Sequence, residues 1–222
     1  MKKPIAVVLA GCGRVDGSDP VDTLLALWRL DQRGIAWHGF APEIDQQNAN
    51  SFRDDDGHEQ TTLLTESKRL VSRDVAPLGA LDPKAHAGIL IPGGGGISRQ
   101  LSTYAREGIG MSVQEELALC LHSFFSDYRP IALMGMASLL IPRLFEQAIP
   151  VTVGHDAELS GAISAMGGLH KSCSVDEIVV DPVHRVLSTP ASLLSDNMET
   201  VSTGVFRLVD RLIDMAADER YR

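Results

Sequence analysis

The chain is poor in thiols, in positive charge and in long apolar runs. Three cysteines, Cys12, Cys120 and Cys173, occur in 222 residues. They form no C-x-x-C pair, which fits free thiols in a reducing compartment. Twenty basic residues face 29 acidic ones, a net charge of −9. That balance argues against nonspecific nucleic-acid binding. No apolar stretch approaches the ~20 residues of a membrane helix, so no membrane role is expected. No Gly-Lys-Ser/Thr follows a glycine turn, so there is no Walker motif. The histidines (His38, His58, His86, His122, His155, His170 and His184) show no i, i+4 pairing and no nearby thiol pair. Neither a metal site nor a cofactor is expected. Met1-Lys2-Lys3-Pro4 runs directly into a strand-like segment, which predicts a cytoplasmic protein without a signal peptide.

What the chain does have is alternation of apolar runs and amphipathic helices. Hydrophobic residues are 44%. Ile5-Ala6-Val7-Val8-Leu9-Ala10, Gly88-Ile89-Leu90-Ile91 and Pro130-Ile131-Ala132-Leu133-Met134 are apolar throughout, as strands covered on both faces require. Ile35 to Phe40 and Pro150 to Val153 predict further strands. Asp19-Pro20 predicts a helix start, with Val21, Leu24, Leu25 and Trp28 on its buried face. Ser112-Val113-Gln114-Glu115 has the form of a capping box, opening a helix that buries Leu117, Cys120, Leu121 and Phe124. Glu177 to Asp181 and Arg185 to Ser188 flank Pro182-Val183-His184, which predicts a hairpin. Thr189-Pro190 predicts the last helix start, with Leu194, Met198, Val201, Val205, Leu208 and Leu212 facing inward. Residues 42–60, with Asp54-Asp55-Asp56 at their centre, are expected to be a solvated loop. The pattern predicts one α/β domain over residues 1–222, with a mostly parallel sheet and helices on both faces.

In such a sheet, ligands bind beyond the carboxyl ends of the strands. Three turns there are unusual: Gly11-Cys12-Gly13-Arg14-Val15-Asp16-Gly17-Ser18-Asp19, Pro92-Gly93-Gly94-Gly95-Gly96, and Gly135-Met136-Ala137. The first departs from G-x-G-x-x-G and lacks an acid closing the second strand, so it fits a dinucleotide site poorly. The second lets backbone amides approach a ligand oxygen. The third stands where α/β enzymes often present a nucleophile, yet its first residue has no side chain.

These turns, with the Ala-x-x-x-x-Pro run from Ala137, the segment from Cys173 to Asp181 and Thr189-Pro190-Ala191, resemble the ThiJ/PfpI superfamily. More narrowly they resemble its enhancing-lycopene-biosynthesis, or isoprenoid biosynthesis, branch. The resemblance covers nearly the whole chain. It implies a flavodoxin-like three-layer sandwich with a C-terminal hairpin, related to class I glutamine amidotransferase domains. It also implies a homodimer and glyoxalase-like chemistry at a strained elbow cysteine. Carried over by position, the elbow falls on Gly135, the acid on Asp19, and the oxyanion or ligand-binding turn on Gly93, Gly94, Gly95 and Gly96, beside Met136. The missing thiol removes the covalent intermediate. Two readings stand. One is a catalytically impaired homologue binding a small ligand, anionic or carbonyl-containing, or a partner. The other is an active lyase on small dicarbonyls using Cys12 or a bound water, with Cys12 activated by nearby amides. His155, at another strand end, is a candidate base.

Overall fold

A computed structural model describes residues 3–44 and 61–218; the predicted acidic loop around Asp54, and His58, lie outside them. The strands are β1 (Ile5–Val8), β2 (Trp37–Ala41), β3 (Val75–Pro77), β4 (Gly88–Ile91), β5 (Ile131–Met134), β6 (Pro150–Val151), β7 (Leu169–His170), β8 (Val179–Asp181) and β9 (Val186–Thr189). The helices are α1 (Pro20–Gln32), α2 (Leu63–Val71), α3 (Gly96–Arg99), α4 (Tyr104–Glu107), α5 (Glu115–Ser126), α6 (Leu140–Leu144), α7 (Ala157–Ala165) and α8 (Met198–Ala216).

Seven strands form one sheet in the order β3-β2-β1-β4-β5-β9-β8. All neighbours run parallel except the β8–β9 hairpin, where Val180 pairs with Leu187. A second pair, β6 and β7, stands apart and is parallel. Successive strand residues point to opposite faces, and the core divides accordingly. Ala6, Val8, Ile89, Ile91, Ile131 and Leu133 face α5, α6 and α7. Val7, Leu90, Ala132 and Met134 face α1 and α8. Each fully buried Leu or Ile stabilises the fold by roughly 1.5–3 kcal/mol, which is why these strands carry no polar alternation. This is the flavodoxin-like α/β sandwich, with helices on both faces and a C-terminal hairpin.

The order reverses at β1, which pairs with β2 on one side and β4 on the other. The turns after β1 and β4 therefore meet at the crevice where such sheets place ligands.

Several local expectations need correction. The buried face of α1 is Asp22, Thr23, Leu25, Ala26, Leu27 and Leu30, while Leu24 and Trp28 are about half exposed. The apolar stripe is rotated because α1 packs against both the sheet and α8, so residues on two sides of the predicted face are covered. Helix α5 begins at Glu115, capped by Gln114, whose Oε1 accepts from the Leu117 amide at 2.7 Å. That bond replaces the predicted Ser112 box. Helix α8 begins at Met198, where Asn197 caps the Glu199 and Thr200 amides. Thr189-Pro190 instead ends β9 and leads into a short 3-10 turn, Ala191–Leu193. Strands β3 and β7 were not predicted, being two or three residues long.

Candidate ligand site at the strand ends

The first turn folds back on itself. The Ala10 amide donates to Ser18 Oγ at 2.9 Å and the Gly17 amide to Gly13 O at 2.8 Å. The second turn then docks on the first through three backbone bonds. Gly95 N donates to Arg14 O at 2.8 Å, Gly96 N to Gly17 O at 2.9 Å, and Asp19 N to Gly93 O at 2.8 Å. Such contact leaves no room for side chains. A Cβ on Gly94 would lie 2.5 Å from the Asp19 nitrogen, one on Gly96 would lie 2.7 Å from the Gly17 carbonyl carbon, and one on Gly95 would overlap Val15 O. Gly94, Gly95 and Gly96 are thus glycine for backbone-on-backbone packing, and the amides of Gly95 and Gly96 are already engaged.

Gly135 is different. It follows β5 at φ +50° and opens the 3-10 turn Gly135–Leu139. A Cβ there would sit 3.4 Å from both Leu193 Cβ and Pro190 O, and 3.9 Å from Gly93 Cα. Those are ordinary contacts, so a Cβ would fit. Positive φ is strained for most residues but is a recurrent feature of active-site turns. Gly135 is buried and Met136 half-buried beside it.

Asp19 is 3% exposed and caps α1. Its Oδ1 accepts from the Val21 amide at 2.8 Å and the Asp22 amide at 3.2 Å, while Arg14 Nε lies 3.7 Å from Oδ2. The carboxyl facing the glycine turns is Asp22, one helical turn on and 1% exposed. Its Oδ1 accepts from the Ser192 amide at 2.9 Å, and its Oδ2 fills the space that a Cβ on Gly93 would take. Burial pushes its pKa up to about 7; Asp19 adds to the rise, while bonds from Ser192 and the charge of Arg14 oppose it. Ser192 is 5% exposed, and Ala191 before it takes φ +51°.

Sequence reasoning missed Asp22 and Ser192. Placing Leu24 and Trp28 on the inner face of α1 turned Asp22 towards solvent. Its available signal was an acid three residues after a helix-capping acid, on the face shared with Leu25 and Ala26. Ser192 carried no signal, because its position depends on where the chain goes after β9.

The other candidates lie differently. Burial, Glu66 and Asp16 push the Cys12 thiol up, with Arg69 acting against them; the expected activation by backbone amides is not found. Burial likewise raises the Cys173 pKa, against a 3.3 Å contact with Thr152 Oγ1. Cys120 is a core residue, its pKa pushed up to about 11 by burial. His155 is exposed. Ser138 donates to Thr152 O at 2.7 Å, and Ser98 Oγ donates to Gly95 O at 2.9 Å. Among the described residues, no three His, Cys, Asp or Glu side chains are grouped to hold a metal ion, and no helix is long and apolar enough to cross a membrane.

No family model matches the chain. It is 28% identical over 222 residues to the mitochondrial ES1 protein homologue of Rattus norvegicus, covering 95% of this chain and 83% of that one. It is 29% identical over 223 residues to the mitochondrial glutamine amidotransferase-like class 1 domain-containing protein 3 of Homo sapiens, covering 95% and 82%. Its fold superposes with TM-score 0.85 and 24% identity on an isoprenoid biosynthesis protein with amidotransferase-like domain from Ehrlichia chaffeensis, covering 96% and 99%. Glyoxalase III from Candida albicans shares the fold at TM-score 0.62 and 9% identity, covering 96% and 97%. The chain is thus similar to the ES1 and glutamine amidotransferase-like class 1 proteins and shares its fold with ThiJ/PfpI structures.

Proposed function

We propose that this protein binds a small carbonyl- or carboxylate-bearing molecule over Gly135 and forms no thiol adduct there. The observation that carries this reading is the elbow itself. It has the positive φ of a strained active-site turn and would accommodate a Cβ, but bears none. A nucleophile divides a hard step into two easier ones, and losing it generally costs orders of magnitude in rate. What remains is a position where a Cβ would meet only Leu193, Pro190 and Gly93. The name of the Ehrlichia chaffeensis structure connects that protein with isoprenoid biosynthesis; for this chain we propose only a small-molecule role, in the cytoplasm and as a homodimer.

The rival reading is an active lyase on methylglyoxal or glyoxal, which the fold shared with glyoxalase III favours. It needs Cys12 or a bound water as nucleophile, and the raised Cys12 pKa weighs against a thiolate at neutral pH.

Methylglyoxal turnover by the purified protein separates the two. The expected result is no rate above the protein-free control, with partial activity appearing in Gly135→Cys. Turnover by the natural chain that disappears in Cys12→Ala would overturn the noncatalytic reading.

A further inference from the structure

The segment between β9 and α8, residues 190–197, runs as a strap across the glycine turns that follow β5 and β6. A Cβ on Gly135 would meet Leu193 Cβ and Pro190 O, both at 3.4 Å. A Cβ on Gly154, which takes φ +70°, would meet Pro190 Cγ at 3.1 Å and overlap the Leu194 side chain. One short stretch therefore covers both strand ends, and a side chain at position 135 would project towards it.

The strap is fixed at its start and clamped at its end. Ala191 is buried in the core beside α8, and the Ser192 amide donates to Asp22 Oδ1 at 2.9 Å. Beyond that point the bonds weaken. The 3-10 turn closes through Leu193 N to Pro190 O at 3.3 Å and Leu194 N to Ala191 O at 3.4 Å. Ala191 makes the bend at φ +51°, a conformation that disfavours a residue with a Cβ and persists only while its surroundings enforce it. Arg14, in the turn after β1, holds the far end. Its guanidinium donates both to Ser192 O at 2.8 Å and to the Asp196 carboxylate, tying the outer end of the strap to its fixed end. Its Nε also lies 3.7 Å from Asp19. The Arg14 side chain is 54% exposed and that of Asp196 83%, so this clamp faces water and is weakened by salt. A segment with long backbone bonds and a solvent-facing clamp opens locally more readily than the whole fold unfolds.

We propose that residues 190–197 are a gate over the elbow, with Arg14 as its latch. The proposal rests on the reading that Gly135 marks a ligand site. In the closed form Pro190 and Leu193 cover that site. When Arg14 releases Asp196, Leu193 and Leu194 lift about the pivot at Ala191 and Ser192, and a small molecule reaches Gly135.

Iodoacetamide alkylation of Gly135→Cys reads the open population, because a covered thiol reacts only while uncovered. Adding Arg14→Ala or Asp196→Ala should each speed alkylation roughly fivefold, the loss of about one charge-assisted contact. Raising the salt from about 0.05 to about 0.5 M should speed it where the latch is intact and leave both variants unchanged. Cys120, reached by global unfolding, should stay equally slow throughout. In the chain that keeps Gly135, hydrogen exchange at the Leu193 and Leu194 amides should quicken in Arg14→Ala by the same factor, a readout independent of the introduced thiol. Alkylation and exchange unchanged in both latch variants would overturn the gate, as would an equal acceleration at Cys120; a thiol at position 135 that still reacts far faster than Cys120 would leave the ligand site in place. A thiol as inert as Cys120 in every variant would remove the ligand-site reading, and the gate with it.

Discussion

Two glycine turns lie side by side at the strand ends, and they are glycine for different reasons. Gly94, Gly95 and Gly96 are jammed against residues 15–19, where any Cβ would overlap backbone. Gly135 meets nothing closer than 3.4 Å. The first turn could not carry side chains in this fold; the second could, and does not. A run of glycines is thus weak support for anion binding when the amides are engaged by a neighbouring turn, as those of Gly95 and Gly96 are. One glycine at φ +50° where a Cβ would make only ordinary contacts is the more informative feature.

Asp22 joins the two turns, touching Gly93 and bonding Ser192, and the largest effect is expected there. Burial holds its carboxyl up at about 7, above the ordinary value of 3.8. The folded state therefore holds a proton that the unfolded chain gives up between about pH 4 and 7. Stability is unaffected below the lower value and falls as pH rises through this window. The full loss, at most about 4 kcal/mol at 1.36 kcal/mol per unit, is present above pH 7. Urea unfolding across pH 4–8 should show this fall in the natural chain and a flatter profile in Asp22→Asn.

Next in size is Gly95→Ala, which sets a Cβ against the Val15 carbonyl. Overpacking against backbone should cost about 3 kcal/mol, read as a lowered urea midpoint. By contrast Gly135→Ala should cost only about 1 kcal/mol, the penalty of a left-handed conformation for a residue with a Cβ. If both substitutions cost the same, the distinction between the turns is lost. The smallest effect is expected at Trp28, half exposed on α1, where it makes an edge contact with Phe206 at 5.4 Å and most of its area is already solvated. Trp28→Ala should change stability by about 1 kcal/mol or less.

The sheet was legible in the sequence because strands buried on both faces leave unbroken apolar runs. The runs 5–10, 88–91 and 130–134 became β1, β4 and β5, and the hairpin at 177–188 became β8 and β9. Strand β6 falls within the predicted run from Pro150 to Val153, whereas β7 pairs through two residues, too few to leave a pattern. At the site, Gly135 was visible as a residue without a side chain at a strand end. Asp22 was hidden by an error in helix phase. A stripe chosen by hydrophobicity favoured Leu24 and Trp28, but Ser192 and Gly93 cover Asp22 instead. Asp19 was visible as an acid before a proline, and the geometry gives it the duty that pattern implies, capping α1. Ser192 belongs to a loop that reaches the site by tertiary folding, which no local pattern encodes.

The central claim is that the position over Gly135 can take a side chain or ligand and is not filled core. Iodoacetamide labelling of Gly135→Cys, followed site by site by mass spectrometry, tests it most directly. The account predicts a folded protein whose new thiol is alkylated much faster than the buried Cys120. A variant that fails to fold, or whose residue 135 is as inert as Cys120, would contradict it.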